Sequence, residues 1–246
     1  MKYFRSKNLS PLQTDFKIYP DIHIIQAETI IEAQSMGADL IDLAYQDYLA
    51  VFDQFAISSI ESHSLGAADC LIRIKNKYHF YQLSQGAFLQ MMTNLKISLR
   101  TTECAVLVGD ELTLSQFLPP LTQLGYCQFV FVTEFSDKII SFVEKIKKTY
   151  LGLSIDVLNF NQLSTIEGSC SFLLVDIDHS QQAELVESLT YFNFLTTGSL
   201  FFDIRSGMNQ DLIGEAERAQ MFVVDVNLFY QSRILLANQI LTKKNK

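Results

Sequence analysis

The segment Cys104-Ala-Val-Leu-Val-Gly109 decides the fold of this 246-residue chain. A short apolar run that ends in glycine is typical of a buried parallel strand followed by a sharp turn. A helical stretch, Gly125 and a second apolar run, Gln128-Phe-Val-Phe-Val132, come next. This order predicts a strand–helix–strand unit of the kind that binds dinucleotides.

The turn after the first strand does not have the composition of a phosphate-binding loop. It reads Gly109-Asp110-Glu111-Leu112-Thr113, whereas such a loop needs small residues that let backbone N–H groups face an anion. Asp110 and Glu111 would each repel a diphosphate by roughly 4 kcal/mol at about 4 Å. We therefore expect no dinucleotide to bind here.

Strand-like and helix-like segments alternate through the rest of the chain, which predicts an α/β fold whose C-terminal half is a Rossmann-like doubly wound parallel sheet. A polar bridge, 96–103, separates two apolar blocks and marks a domain boundary. The first block contains a hairpin that turns at Lys75-Asn76-Lys77. Further strands are predicted at 16–19, 22–26, 40–44, 129–132, 155–158, 172–175, 199–203 and 221–224, and helices at 29–36, 47–55, 86–95, 115–124, 137–151, 181–189, 210–219 and 231–241.

Two features of the composition restrict the function. A net charge of −8 without a basic cluster argues against a nucleic-acid or anionic-membrane partner. The first residues lack the apolar core of a signal peptide, and no apolar run reaches the roughly 20 residues that span a bilayer, so we expect a cytoplasmic protein.

Cysteine, proline and acidic positions give three further expectations. We interpret the four cysteines, which form no CxxC pair, as buried free thiols in a reducing compartment. Pro119 and Pro120 should break or kink the helix after the first strand. Asp176-x-Asp178-His179 has metal-ligand side chains, but a solvated strand end explains it better, and we predict no metal.

Short motifs near the start carry a resemblance to the shikimate dehydrogenase family. Asn8-Leu9-Ser10-Pro11 is similar to the family's Ser-x-Ser-Pro motif, which grips the substrate carboxylate. Gly66-Ala67-Ala68-Asp69-Cys70 is similar to Gly-Ala-Val-Asn-Thr. The resemblance implies a substrate pocket that contains Asn8, Ser10 and Asp69, although an acidic Asp69 in place of an amide disfavours an anionic ligand.

The family's catalytic pair is replaced. The stretch from Asp42 to Tyr48 resembles Asn-Val-Thr-x-Pro-x-Lys, which places Tyr48 where the family has its catalytic lysine. Gln82-Leu83-Ser84-Gln85 resembles Asn-Thr-Asp-Gly, which places Ser84 where the partner aspartate stands. Losing a general acid–base group costs about 10²–10⁴ in rate, and a tyrosine pKa of about 10 makes a poor substitute.

Two positions in the C-terminal half also depart from the family. Glu134 stands where an arginine holds the 2′-phosphate of NADP, although an acidic residue at this strand end can bind the ribose of NAD. Gln231 resembles the substrate-binding glutamine that opens the last helix, but the gap before it is about two residues short.

The resemblance implies an N-terminal αβα substrate-type domain, 1–98, completed by a C-terminal helix, 231–246. A Rossmann-like domain of the NADP-binding type covers 99–230, with a degenerate phosphate loop. The candidate pocket of Asn8, Ser10, Asp69 and Gln231 would then lie in an interdomain cleft and take a small molecule.

Two functions remain open at this stage. The first is a shikimate dehydrogenase-like protein that has lost NADP binding and catalysis, needs no cofactor, and serves in binding, regulation or assembly. The second is a divergent oxidoreductase that uses NADP or NAD on shikimate or a related hydroxy-acid ring. Three features of the family are replaced together: the acid–base pair, the phosphate loop and the arginine that holds the 2′-phosphate. Because these changes coincide, they favour the first function. The sequence defines neither an oligomeric state nor a protein partner.

Overall fold

The computed structural model describes residues 1–6, 9, 22–57, 68–134, 136–166, 168–177, 195–204 and 210–244. The chain forms two compact units, Met1–Asn94 with Asn227–Lys246, and Leu95–Val226. The predicted segments 16–19 and 181–189, as well as Asp178 and His179, lie outside the described residues.

Strands and helices follow one another in both units. The strands are β1 (Lys2–Arg5), β2 (His23–Ile24), β3 (Leu40–Asp42), β4 (Ala56–Ile57), β5 (Cys70–Ile74), β6 (Lys77–Tyr81), β7 (Cys104–Val108), β8 (Gln128–Thr133), β9 (Ser154–Asn159), β10 (Cys170–Val175), β11 (Leu195–Asp203) and β12 (Phe222–Val223). The helices are α1 (Ile30–Ser35), α2 (Tyr45–Val51), α3 (Ser84–Leu95), α4 (Glu111–Gln123), α5 (Ser136–Thr149), α6 (Gln210–Arg218) and α7 (Val226–Lys244), with 3₁₀ turns at Phe52–Gln54 and Phe160–Thr165.

The sheet of the first unit is mixed and has a core on each face. Its strand order is β2-β1-β3-β5-β6-β4, with β1 parallel to β2 and β3, and with β3, β5 and β6 joined antiparallel. Side chains alternate between the faces of a strand. Phe4, Ile41 and Leu71 therefore pack toward α1 and α2, whereas Tyr3, Leu40 and Ile72 pack toward α7.

The second unit has the strand order of a Rossmann fold. Its order is β12-β11-β10-β7-β8-β9, and all its pairings are parallel. The chain runs outward from β7 through β8 to β9, then returns to β10 and runs outward on the other side. This arrangement confirms the predicted α/β class, and it puts the topological switch point, where such folds bind ligands, between β7 and β10.

Helix α4 continues through Pro119 and Pro120, so the predicted break is wrong. Each proline removes a donor from the helix ladder at a cost of about 3 kcal/mol. The helix is held by burial, because every residue from Leu112 to Leu121 is buried. Burial of a large apolar side chain contributes about 1.5–3 kcal/mol, and α4 buries four in its middle turns: Leu114, Phe117, Leu118 and Leu121.

The cysteines differ in exposure, which corrects the prediction that all four are buried. Cys70 and Cys170 are buried, Cys104 is half-buried and Cys127 is exposed. Cys127 lies in the turn that precedes β8, outside the covered part of the sheet. No helix in the described part of the chain combines the length and apolar character that a membrane span requires.

The predicted hairpin between β5 and β6 is confirmed, and its turn defines a test of the fold. Ile74 pairs with Lys77, so the loop is Lys75-Asn76, and both residues have positive φ, 48° and 61°. Two positive φ values define a type I′ turn, for which Asn-Gly is the favoured pair.

We predict that the double variant Lys75→Asn, Asn76→Gly raises the free energy of unfolding by about 1 kcal/mol, because left-handed backbone is less costly for these residues. Urea unfolding measures the change. Lys77→Asn, at an exposed strand position, is the control and should not stabilise. A lower midpoint for the double variant would contradict the turn assignment.

Candidate ligand sites

The connection between β7 and α4 is closed by a reciprocal pair of hydrogen bonds. Only Gly109 and Asp110 separate the strand from the helix. The Thr113 N–H donates to Asp110 Oδ1 at 3.0 Å, and the Asp110 N–H donates to Thr113 Oγ1 at 3.2 Å. This is a capping box, in which the helix start satisfies its own backbone donors.

The same threonine joins the two strands at the switch point. The Asp176 N–H donates to the Val108 carbonyl at 2.8 Å, which brings the end of β10 beside the end of β7. Thr113 Oγ1 donates to Asp176 Oδ2 at 2.8 Å. Since a hydroxyl has a single proton, this shorter contact is preferred to the 3.2 Å contact with Asp110 Oδ1.

Thr113 also fills the space above Gly109. A Cβ added to Gly109 would lie 2.3 Å from Thr113 Oγ1 and 2.9 Å from its Cγ2. In dinucleotide-binding folds the first glycine makes the tight turn, and the second, at the position of Glu111, lets the backbone approach the pyrophosphate. Here the fully buried Thr113 packs against Gly109, Glu111 replaces the second glycine, and the Asp110 carboxylate accepts the Thr113 N–H at the helix start. The residues present therefore do not fit a dinucleotide phosphate.

The residues that the sequence predicted for this site differ in exposure. Asp110 and Glu134 are exposed, Glu111 is half-buried, and Leu112 is buried. Our sequence analysis missed Thr113. The available signal was the Asp-x-x-Thr spacing directly before an apolar run, which is typical of a helix start stabilised by its own side chains.

A buried ion-pair cluster forms the second candidate site, within the first unit. Arg233 of α7 donates through Nη2 to Asp42 Oδ1 at 2.6 Å and through Nη1 to Asp69 Oδ2 at 2.7 Å. Nη1 also donates to Ser84 Oγ at the start of α3. The arginine is 6% exposed and the two aspartates are 2% exposed, so each charge depends on its partner.

The remaining carboxylate oxygens are also satisfied. Asp42 Oδ2 accepts a hydrogen bond from the Tyr3 hydroxyl at 2.6 Å and lies 3.4 Å from Arg5 Nη1. Asp69 accepts from the backbone N–H groups of Leu83 at 2.9 Å and Ser84 at 2.7 Å, and so caps α3. A buried pair is tolerated when its lone pairs are used in this way.

The cluster is not suited to proton transfer near neutral pH. Burial raises the pKa of Tyr3 well above its usual value, and the charge of Asp42 raises it further. Burial acts to lower the pKa of Arg233, but the charges of Asp42 and Asp69 outweigh it, so its pKa lies above the usual range. The tyrosine therefore stays neutral and the arginine stays charged.

One predicted pocket residue, Asp69, lies here with Ser84, the residue at the position of the family's catalytic aspartate, and an arginine that we did not predict joins them. Asp69 and Ser84 both contact Arg233, whereas Gln231 lies in an open groove with Gln90. No local sequence pattern indicated this arginine, because the carboxylates that it binds lie 164 and 191 residues earlier in the chain. Asn8 and Ser10 lie outside the described residues.

Tyr48, at the position of the family's catalytic lysine, packs in an aromatic cluster. Its ring centroid lies 5.3 Å from that of Phe52 and 5.2 Å from that of Phe80, both in edge-on geometry. Burial raises the pKa of Tyr48 to about 12. It belongs to the core on the α1–α2 face of the sheet, whereas Ser84 contacts α7, so the two are not a catalytic pair.

The described residues contain no group of three or more His, Cys, Asp or Glu side chains arranged to hold a metal ion.

Comparison with known proteins identifies the fold. No family model matches the sequence, and no curated protein matches it significantly. Similar solved structures include shikimate 5-dehydrogenase from Listeria monocytogenes in complex with shikimate and NAD, with TM-score 0.70, 9% identity, and coverage of 99% of this chain and 91% of that one. Shikimate dehydrogenase from Mycobacterium tuberculosis matches with TM-score 0.70 and 12% identity, over 98% of this chain and 93% of that one. The 5-ketofructose reductase from a Gluconobacter strain matches with TM-score 0.69 and 12% identity, over 98% of this chain and 92% of that one. The chain thus has the fold of the shikimate dehydrogenases, as its motifs predicted.

We predict that Thr113→Val lowers the free energy of unfolding by about 1–3 kcal/mol, because it removes the donor to Asp176 and the acceptor for the Asp110 N–H without changing the volume. Chemical unfolding measures the loss. Thr122→Val, on the same helix, is the control, since its hydroxyl contacts only the Leu118 carbonyl at 2.9 Å among the hydrogen bonds described. Equal effects of the two variants would contradict the linking role of Thr113.

We predict that Arg233→Met lowers the free energy of unfolding by about 3–5 kcal/mol, more than Thr113→Val does, because two carboxylates would remain buried without the cation of Arg233. Arg5→Met is the control: its guanidinium lies farther from Asp42 and its side chain is 15% exposed, so the loss should be smaller. A tolerated Arg233→Met with native stability would contradict the structural role of the cluster.

Proposed function

We propose that this protein is a shikimate dehydrogenase-like protein that has lost dinucleotide binding and hydride transfer and serves in binding, regulation or assembly. The observation that carries the proposal is the capping box at the start of α4, where Asp110 accepts the hydrogen bond of the Thr113 N–H and Glu111 stands at the second glycine position. A diphosphate at this helix start would have to displace the Asp110 carboxylate.

The energies support this proposal. Displacing Asp110 would break the two hydrogen bonds of the capping box, at about 0.5–1.5 kcal/mol each. The diphosphate would then face the carboxylates of Asp110 and Glu111, at roughly 4 kcal/mol for each unit pair near 4 Å. Two such repulsions equal the whole binding free energy of a micromolar ligand, about 8.2 kcal/mol.

The first unit supports the proposal independently. Asp42, Asp69 and Ser84, which stand in the motifs that bind substrate in the family, are bonded to Arg233. A hydroxy-acid ring would have to separate buried charges in order to use them. Tyr48, whose pKa of about 12 disfavours proton exchange at neutral pH, does not replace the lysine.

One observation favours the alternative, a divergent oxidoreductase. Glu134 is exposed directly after β8, where an acidic residue binds the ribose hydroxyls of NAD in Rossmann folds. The similar Listeria enzyme was solved with NAD and shikimate.

Thermal unfolding with and without NADP, NAD and shikimate distinguishes the two functions. We expect no shift, whereas a ligand at 100 times its Kd would stabilise the protein by about 2.7 kcal/mol. The matched variant is Asp110→Gly, Glu111→Gly, which removes both carboxylates and restores a glycine at the second position of the turn. Binding by this variant alone would assign the block to these two side chains.

An upward shift of the wild-type protein with NAD, abolished by Glu134→Gln, would overturn the proposal in favour of the oxidoreductase. Shikimate-dependent reduction of NADP or NAD by the wild-type protein would overturn it directly.

A further inference from the structure

Two thiols lie side by side at the start of β7 and β10. Cys104 and Cys170 are the first residues of these neighbouring parallel strands and are register partners. The Cys104 N–H donates to the Ser169 carbonyl at 3.0 Å, so the strands are already paired at this level. Neighbouring strands lie about 4.8 Å apart, which is inside the Cα separation of about 4.4–6.8 Å that a disulfide spans.

An irregularity in β10 turns both thiols toward the same core. Cys170 pairs with Cys104, but Phe172 pairs with Ala105, so β10 contains one extra residue here. In a regular strand Cys170 and Leu173 would face opposite sides. The extra residue reverses this alternation, and Cys170 joins Leu173 in the core layer against which Cys104 packs. Bulges commonly redirect a side chain in this way.

The two thiols are neighbours and differ in exposure. The Cys104 thiol donates to the Ala105 carbonyl at 3.5 Å. The neighbouring Cys104 thiol lowers the pKa of Cys170, whereas the Cys170 thiol and burial raise the pKa of Cys104. Cys104 is half-buried and Cys170 is fully buried. A small oxidant can therefore reach the first sulfur, and the second sulfur is placed to attack it.

We propose that Cys104 and Cys170 form a reversible disulfide that joins the start of β7 to the start of β10. The oxidant is a low-molecular-weight disulfide. The more accessible Cys104 thiol loses its proton to solvent, and the thiolate so formed attacks the oxidant, forms a mixed disulfide and releases one small thiolate. The Cys170 thiolate then attacks the Cys104 sulfur and releases the second. Two protein thiols are oxidised, one small disulfide is reduced to two thiols, and the two protein protons pass to solvent or to the leaving thiolates.

This modification site does not depend on the proposed function. Its consequence is structural: the two strands that flank the switch point would be joined covalently at their starts, in addition to the Thr113–Asp176 bond at their ends. The oxidised form should therefore unfold at a higher temperature than the reduced form.

The test uses the full chain with Cys127→Ser, since the exposed Cys127 thiol would react first. The folded protein is incubated with glutathione disulfide, and free thiols are then blocked in denaturant before peptide mass mapping. We expect the loss of two hydrogen masses, a linked Cys104–Cys170 peptide and full reversal by dithiothreitol. Cys70, buried in the first unit, is the internal control and should stay reduced.

Two single variants separate the steps. Cys170→Ser should stop at glutathione bound to Cys104, and Cys104→Ser should not react, because Cys170 is buried. A folded protein in which both thiols stay reduced, or in which each takes up glutathione without linkage, would overturn the proposal. Linkage that appears only in denatured protein would also overturn it.

Discussion

The hydroxyl of Thr113 is the contact around which the second unit is arranged. It connects the first turn of α4 to the ends of β7 and β10 by way of Asp110 and Asp176. A Rossmann sheet separates its strands at this point and leaves a crevice. In this chain the crevice is bridged by a side chain and a carboxylate of the protein itself. Gly109 keeps its place in the sequence, but the room it provides is used for threonine packing.

In the first unit, charged side chains rather than a hydroxyl satisfy one another. Positions that would face a polar substrate in the related fold are occupied by Asp42, Asp69 and Ser84, and Arg233 completes them. Buried charges are costly unless each is paired and hydrogen-bonded. A cluster of two cations and two anions, Arg5 included, satisfies that condition without any ligand. In both units, polar side chains at these positions are hydrogen-bonded to other side chains of the protein.

Much of the fold could be predicted from the sequence because it depends on local patterns. Apolar runs defined the parallel strands, and the Lys75-Asn76 turn defined the hairpin. The error at Pro119 and Pro120 arose because tertiary burial outweighs the local cost of two prolines. Arg233 was missed for a different reason. Its partners lie 164 and 191 residues away along the chain, and the periodic patterns of helices and strands predict only local contacts. The capping role of Thr113 could have been predicted, since the Asp-x-x-Thr pattern is local. Its hydrogen bond to Asp176 could not, because it depends on the order of the strands in the sheet.

The position of Arg233 also bears on how the chain is made. Helix α7 belongs to the first unit, yet it is translated after the whole of the second. Until it emerges from the ribosome, Asp69 has no cation, Asp42 has only Arg5, and one face of the first sheet has no cover from α7. The second unit is contiguous and can fold while synthesis continues, since domains generally fold as units. The nascent chain therefore lacks the α7 cover on one face of the first sheet until the end of its synthesis, and the first unit, although begun first, is completed last.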